Sequence, residues 1–196
     1  MIVLGLDIST ANIGLCVLDD GTLIHAEGLP MSKTKGLFAK AECFRQTLDE
    51  LHQTLLSAEV EIDAIVVEQS LQAFRRRMSS ASTIATLNRF NGIVSYIARR
   101  RFSVPLYQVN AVSARKQIGL TINKKSEKTT KDQILCWVKQ QPPMNTFDWP
   151  TKILKGGPDK GSVRDEVYCY DIADAFVVAR WGIQHLKKDM LDDNNV

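Results

Sequence analysis

Ile2-Val3-Leu4-Gly5-Leu6-Asp7-Ile8-Ser9-Thr10-Ala11-Asn12-Ile13-Gly14-Leu15-Cys16-Val17-Leu18 is a pair of apolar runs around a turn of small residues, with one carboxylate closing the first run. Runs this short and this apolar suit strands in the middle of a sheet covered on both faces, because neither side of such a strand meets water. Asp7 then sits on a rigid strand inside the fold, where an unpaired charge is costly. Two readings follow. Either a divalent cation or a phosphate–metal pair compensates the carboxylate, or Asp7 caps the strand–turn junction through an Asx turn.

Working outward, strands are expected over Ile2 to Ile8 and Asn12 to Leu18, then a hairpin turn at Asp20-Gly21 and a third strand over Thr22 to Ala26. Gly28 to Lys35 reads as loop. Gly36 to Ser57 has the helical period, with Phe38, Phe44, Leu48, Leu51 and Leu55 on one face. Ile62 to Val67 is another apolar strand and also ends on an acid, Glu68. A helix from Ser79-Ser80 would bury Ile84, Leu87, Phe90, Val94 and Ile97, and Val104 to Val109 makes a fifth strand, entered at Pro105. Ala111 to Ile118, Lys128 to Lys139 and Tyr170 to Leu186 look helical, whereas Gln140 to Gly161, rich in Pro and Gly, reads as structureless. The order predicts an α/β fold: a five-stranded mixed sheet, its three antiparallel strands first, with helices on both faces. Residues 1–188 are expected to form one domain, followed by a disordered acidic tail over 189–196.

A chain of 196 residues suits a single domain with a real core, and 44% hydrophobic and 24% charged content is ordinary for a globular protein. No apolar stretch approaches the roughly 20 residues of a membrane span, and no basic leader precedes the first strand. The scattered cysteines (Cys16, Cys43, Cys136 and Cys169) lack the paired spacing of a zinc site. They read as free thiols in a reducing, intracellular and most simply cytoplasmic setting.

The net charge of +3 conceals an asymmetry. Between Ser70 and Leu135 stand Arg75, Arg76, Arg77, Arg89, Arg99, Arg100, Arg101, Arg115, Lys116, Lys124, Lys125, Lys128 and Lys131, and the only acids are Glu127 and Asp132. Such a block in a folded segment points to a polyanionic partner; the alternative is a solvated basic face. Phosphate contacts of this kind bring affinity without sequence reading.

Acids occupy the remaining decisive positions. Asp7 and Glu68 end strands, and Asp171 and Asp174 lie three apart, on one face of the last helix. Helix capping and the macrodipole account for Asp171. They account less well for Asp174, which stands among Ala173, Ala175 and Phe176. Four such oxygen donors suffice for a two-metal site.

Leu6-Asp7-Ile8-Ser9-Thr10-Ala11-Asn12-Ile13-Gly14, Ile65-Val66-Val67-Glu68-Gln69 and Asp171-Ile172-Ala173-Asp174-Ala175 resemble, in order and spacing, the three acidic motifs of the RuvC-type Holliday junction resolvases of the ribonuclease H-like superfamily. Asn91-Gly92 and the pattern Lys116-Gln117-Ile118-Gly119 to Lys131-Asp132-Gln133-Ile134 extend the likeness over most of the chain. The long Gln140–Gly161 stretch is more similar to divergent phage or organellar members. After Glu68-Gln69 many members bring an aromatic sooner, whereas here Leu71 precedes Phe74.

The resemblance implies a homodimeric, Mg²⁺-dependent (or Mn²⁺-dependent) endonuclease, with two ions per site, that nicks four-way DNA junctions symmetrically. It implies Asp7, Glu68, Asp171 and Asp174 as metal ligands, with Asp171 the more exposed of its pair, and Lys131 near the scissile phosphate, with Lys116 as a second such cation. Arg75, Arg76, Arg77, Phe74, Lys116, Lys124, Lys125 and Lys128 are the candidate DNA-binding residues. The helix from Ser79 to Arg100 is the candidate dimer face, since a C2 dimer matches a two-fold junction.

Asp7-x-Ser9-Thr10 followed by Gly14 also looks like the phosphate loop of actin-like and sugar-kinase ATPases, but the chain is too short for their second lobe, so no nucleotide cofactor is expected. A ribonuclease H-like nuclease acting on structured ribosomal RNA and a non-catalytic junction-binding module are the other readings.

Overall fold

The computed structural model describes residues 1–69 and 81–193, with side chains through residue 187. Phe74, Arg75, Arg76 and Arg77 therefore lie outside the described residues.

Alternation along the first strand decides which layer each neighbour joins. In β1 (Ile2–Ile8), Leu4 and Leu6 enter one core and Val3 the other, while Gly5 turns the same way as Val3. β2 (Asn12–Asp19) runs antiparallel to β1, and β3 (Thr22–Pro30) antiparallel to β2. The turn between them places Asp20 and Gly21 at φ 47° and 102°, the left-handed pair a two-residue hairpin requires. β4 (Ala64–Glu68) and β5 (Leu106–Val109) add in parallel on the other side of β1. The sheet order is β3-β2-β1-β4-β5, so β1 is central.

One face is covered by α1 (Leu37–Ser57) and α2 (Ala81–Phe102), through Phe44, Leu48, Leu51, Leu55, Phe90 and Val94. Phe38, expected on that buried face, is instead 83% exposed. Its neighbour Leu37 takes the inward register one turn before Ala41 and packs against the core, so Phe38 points off that face.

The opposite face carries α3 (Ala111–Gln117), α4 (Thr130–Val138) and α5 (Cys169–Asp193). α5 lies almost on the backbone of the sheet. A Cβ on Gly14 would stand 2.0 Å from the Asp171 carbonyl oxygen, and one on Gly5 would stand 2.3 Å from that of Ala175. Only glycine lets the helix approach this closely.

Other boundaries differ from expectation. β3 runs on to Pro30 where a loop was expected, because pairing with β2 continues to Asn12↔Pro30. α5 continues to Asp193, so residues 189–193 of the acidic tail are helical. The Gln140–Gly161 stretch is not structureless. It contains a 3₁₀ turn (Met144–Thr146) and β6 (Thr151–Ile153), which pairs with β7 (Val163–Asp165) as a separate two-stranded sheet. No described helix is long and apolar enough to cross a membrane, and all four cysteines are free thiols.

Candidate active site

β1 and β4 are parallel neighbours with Leu6 opposite Val67. The next residue on each strand is the acid, so Asp7 and Glu68 stand side by side at the edge formed by the C-terminal ends of these two interior strands. By alternation Asp7 shares the face of Val3 and Gly5, the α5 face, and Glu68 shares that of Ala64 and Val66. α5 crosses the same end of the sheet with its first turns, and the glycine contacts press Asp171 and Asp174 toward the strands. Both aspartates are buried, at 3% and 6% exposure, so Asp171 is not the more exposed of the two.

The turn after β1 is closed by Ser9, whose Oγ donates to the Asn12 carbonyl at 2.8 Å and accepts from the Asn12 amide at 3.0 Å. That is a serine turn, so the turn's side-chain hydrogen bonds do not come from Asp7. The Asn12 side chain favours the charged form of the Asp171 carboxyl, against the burial that raises it. Behind Glu68, the buried Asn91 donates from Nδ2 to the Glu68 carbonyl at 3.4 Å. Asp7, Ser9, Glu68, Gln69, Leu87 and Asn91 line a cleft at this edge.

The four carboxyls act on one another. Burial, then the charges of Asp174, Glu68 and Asp171, push the Asp7 carboxyl well above the usual carboxylate range, and Lys131 pulls it back. Burial, with the charge of Asp174, pushes Glu68 up to about 7 against Arg115 and Lys131. Burial also raises Asp171 and Asp174; Lys131 opposes the first, and Arg115 with Lys131 the second. Acids from three remote segments of the chain thus meet at one place, with two cations beside them.

Lys131 stands in the first turn of α4, its ammonium 5.8 Å from the centre of the Tyr170 ring. Tyr170 donates from its hydroxyl to Asp132 Oδ1 at 2.6 Å, which ties the starts of α4 and α5 together. Arg115 of α3 donates from Nη2 to Asp174 Oδ1 at 3.0 Å. Lys116, Lys124, Lys125 and Lys128 are exposed on α3 and on the segment leading to α4. Arg115, rather than Lys116, is the α3 cation at the acids, and sequence reasoning passed over it. The signal was present: Ala111, Ala114, Arg115 and Ile118 share the i, i+3, i+4, i+7 face that packs inward, whereas Lys116 points off it.

Among the described residues, no three Asp, Glu, His or Cys side chains are arranged to hold a metal ion as they stand. The donor chemistry nevertheless fits a hard divalent cation: four carboxyl groups, Asp171 and Asp174 buried and Asp7 and Glu68 half-buried, are the oxygen set such an ion takes. Arg115 and Lys131 supply positive charge at the same place.

No family model matches the sequence, and no curated protein matches it. Solved structures do. Thermus thermophilus RuvC in complex with Holliday junction substrate aligns over 96% of this chain and 96% of its own, with a TM-score of 0.61 at 16% identity. The chain has the RuvC fold. A second Thermus thermophilus RuvC structure covers 96% of the chain and 97% of its own at a TM-score of 0.57 and 17% identity. The yeast mitochondrial Holliday junction resolvase Ydc2 covers 95% and 81%, with a TM-score of 0.51 at 18% identity. In the RuvC fold of this chain, the mixed sheet with its three antiparallel strands first is the ribonuclease H-like arrangement expected from the sequence.

Proposed function

We propose that this chain is a divalent-metal-dependent, structure-selective endonuclease that resolves four-way DNA junctions by paired, symmetric nicks. The observation that carries the proposal is the convergence of Asp7, Glu68, Asp171 and Asp174 beside Lys131 and Arg115. The likeness of the fold to a RuvC described in complex with a Holliday junction substrate supports it.

Asp7, Glu68, Asp171 and Asp174 would hold a pair of Mg²⁺ (or Mn²⁺) ions, which when bound supply an activated water and neutralise charge in phosphodiester hydrolysis. The chain's own residues do the rest. Arg115 fixes the Asp174 carboxylate, and Ser9 with Asn12 holds the turn that orients Asp171. Lys131 presents an ammonium to the phosphate, where a preorganised cation lowers the barrier because the developing charge meets it without reorganisation. The exposed Lys116, Lys124, Lys125 and Lys128, with Arg75, Arg76, Arg77 and Phe74 outside the described residues, take the DNA backbone around the cut. A C2 dimer through the outer side of α2, where Gly92 is exposed with open space beside it, would place two such sites for paired cuts.

The test is cleavage of a synthetic mobile four-way junction, beside linear duplex and a structured RNA, in Mg²⁺ and in EDTA. Paired nicks in Mg²⁺ alone are expected, and Asp7→Asn should bind the junction and leave it whole. Faster cutting of the RNA would transfer the assignment to RNA, and retained junction cleavage by Asp7→Asn would refute the site.

A further inference from the structure

The β6–β7 hairpin has no role in the chemistry above, yet it is firmly built and sits beside the acids. Lys139 ties its base to the domain, and contacts between the two ends of the hairpin close that base. Lys139 Nζ donates to both oxygens of Asp165 at 2.7 and 2.6 Å, and Lys152 pairs with Glu166 at 3.2 Å. The Glu166 amide donates to the Pro150 carbonyl at 2.9 Å. Beyond the paired strands the ladder continues, with Leu154 N–H to Ser162 O at 3.0 Å and Gly161 N–H to Leu154 O at 2.8 Å. The ribbon therefore projects as a stiff unit.

What it projects is unusual for a surface. Ile153 and Val163 are directly paired across the strands, lie on one face, and are 65% and 64% exposed; neither joins a core cluster. Charge on the ribbon is uneven. Lys152 and Arg164 have acidic partners in Glu166 and Asp159, whereas Lys155 and Lys160 at the tip have none among the described residues. At the foot of the same face Thr151, Val163, Asp165 and Tyr170 line a groove. Tyr170 carries Lys131 on its ring and directly precedes Asp171. A chain of surface thus runs from the acids, over Lys131 and Tyr170, to the exposed Ile153–Val163 pair.

We propose that this hairpin is a wing that enters a groove of one duplex arm of the DNA, with Ile153 and Val163 against sugars and base edges and Lys155 and Lys160 on the flanking phosphates. The proposal rests on the nuclease reading above and adds the contact that holds the arm leaving the site. A two-stranded ribbon fits the major groove of a duplex. The hairpin strands carry no aromatic, and stacking on unpaired bases needs a π face, so duplex is favoured over single strand. The free lysines are the charge complement.

The experiment measures binding of the full-length Asp7→Asn chain to an immobile four-way junction and to a linear duplex over a salt series, and junction cleavage by the chain with Asp7 intact. Lys155→Ala with Lys160→Ala should lower the slope of log affinity against log salt by about 2, since each phosphate contact contributes about 0.9. Ile153→Ser with Val163→Ser should weaken binding to junction and duplex alike, with the slope unchanged, because apolar contacts release no counterions. Thermal melting should be unaltered in both, as all four side chains are outside the core. Unchanged affinity and slope in both variants, while the parent binds and cuts junctions, overturn the wing and leave the nuclease standing. Failure of the parent to bind or cut any DNA overturns both. Ile153→Ser with Val163→Ser turning dimers into monomers at unchanged DNA affinity overturns the wing and gives the face to a second copy of the chain.

Discussion

Arg115 of α3 and Asp174 of α5 form an ion pair at 3.0 Å, with side chains only 16% and 9% exposed, inside a cluster of carboxyls. The guanidinium does for the metal-free fold what a bound cation would also do: it offsets charge that burial makes costly. Arg115→Met should therefore destabilise the chain in EDTA by about 2–3 kcal/mol, somewhat less than the roughly 3–5 of a fully buried pair. Added Mg²⁺ should restore more stability to the variant than to the parent. Thermal unfolding of both proteins with and without Mg²⁺ measures it; an equal loss in the two conditions would show that Arg115 has only a packing role.

The acids also predict how stability depends on pH. Glu68 is raised from 4.5 to about 7, so in that window the folded chain keeps a proton that the unfolded chain has released. Folding then takes up protons, and stability of the metal-free protein falls as pH rises from about 4.5 to about 7. Asp7, Asp171 and Asp174 are shifted in the same direction and add to the slope. Metal binding needs the carboxylates ionised, so in Mg²⁺ the trend should flatten or reverse. Melting temperatures across this range, in EDTA and in Mg²⁺, check it, and Glu68→Gln should remove its share of the EDTA slope.

Much of this arrangement was legible in the sequence because period and position coincide. The unbroken apolar run Ile2 to Leu6 marks a strand covered on both faces, and Asp7 marks its end. Spacing of three put Asp171 and Asp174 on one helical face. Arg115 was hidden because charge density does not distinguish it from the many cations around it, whereas its inward register beside Ala114 does. The β6–β7 hairpin was hidden for another reason. Its strands have only three residues each, and Lys155-Gly156-Gly157-Pro158 reads as a breaker when it is the hairpin's tip. Phe38 shows the converse error: helical spacing marked it as core, but Leu37 holds the inward register there and packs against the core.

Close packing of α5 predicts a strong effect from a very small change. A methyl on Gly14 would fall 2.0 Å from the Asp171 carbonyl oxygen and 2.2 Å from its carbon, and both neighbours are backbone. Gly14→Ala should cost about 1–3 kcal/mol, as overpacking does, and lift the start of α5 off β2 and the neighbouring β1. Asp171 and Asp174 travel with it. Cleavage should fall much further than stability, whereas junction binding, which relies on exposed lysines, should be kept. Chemical denaturation beside single-turnover cleavage separates the two effects.

Lys131 makes the sharpest test of function against stability. It occupies the first turn of α4, where a cation opposes the helix dipole by about 0.3–1 kcal/mol; the capping box of Thr129 and Asp132 holds that end without it. In the metal-free chain Lys131 offsets this cost by moderating all four acids. In Mg²⁺ that benefit shrinks and only the dipole penalty is left. Lys131→Ala should therefore melt lower than the parent in EDTA, and at the same temperature or higher in Mg²⁺. Single-turnover junction cleavage in Mg²⁺ should nonetheless drop by about 10²–10³, the loss typical of removing one preorganised charge stabiliser. Lys116→Ala, which alters an exposed lysine off the inward face of α3, should leave cleavage nearly intact at saturating enzyme. Equal cleavage defects in the two variants would mean that Lys131 acts as one more phosphate contact and not at the reacting group.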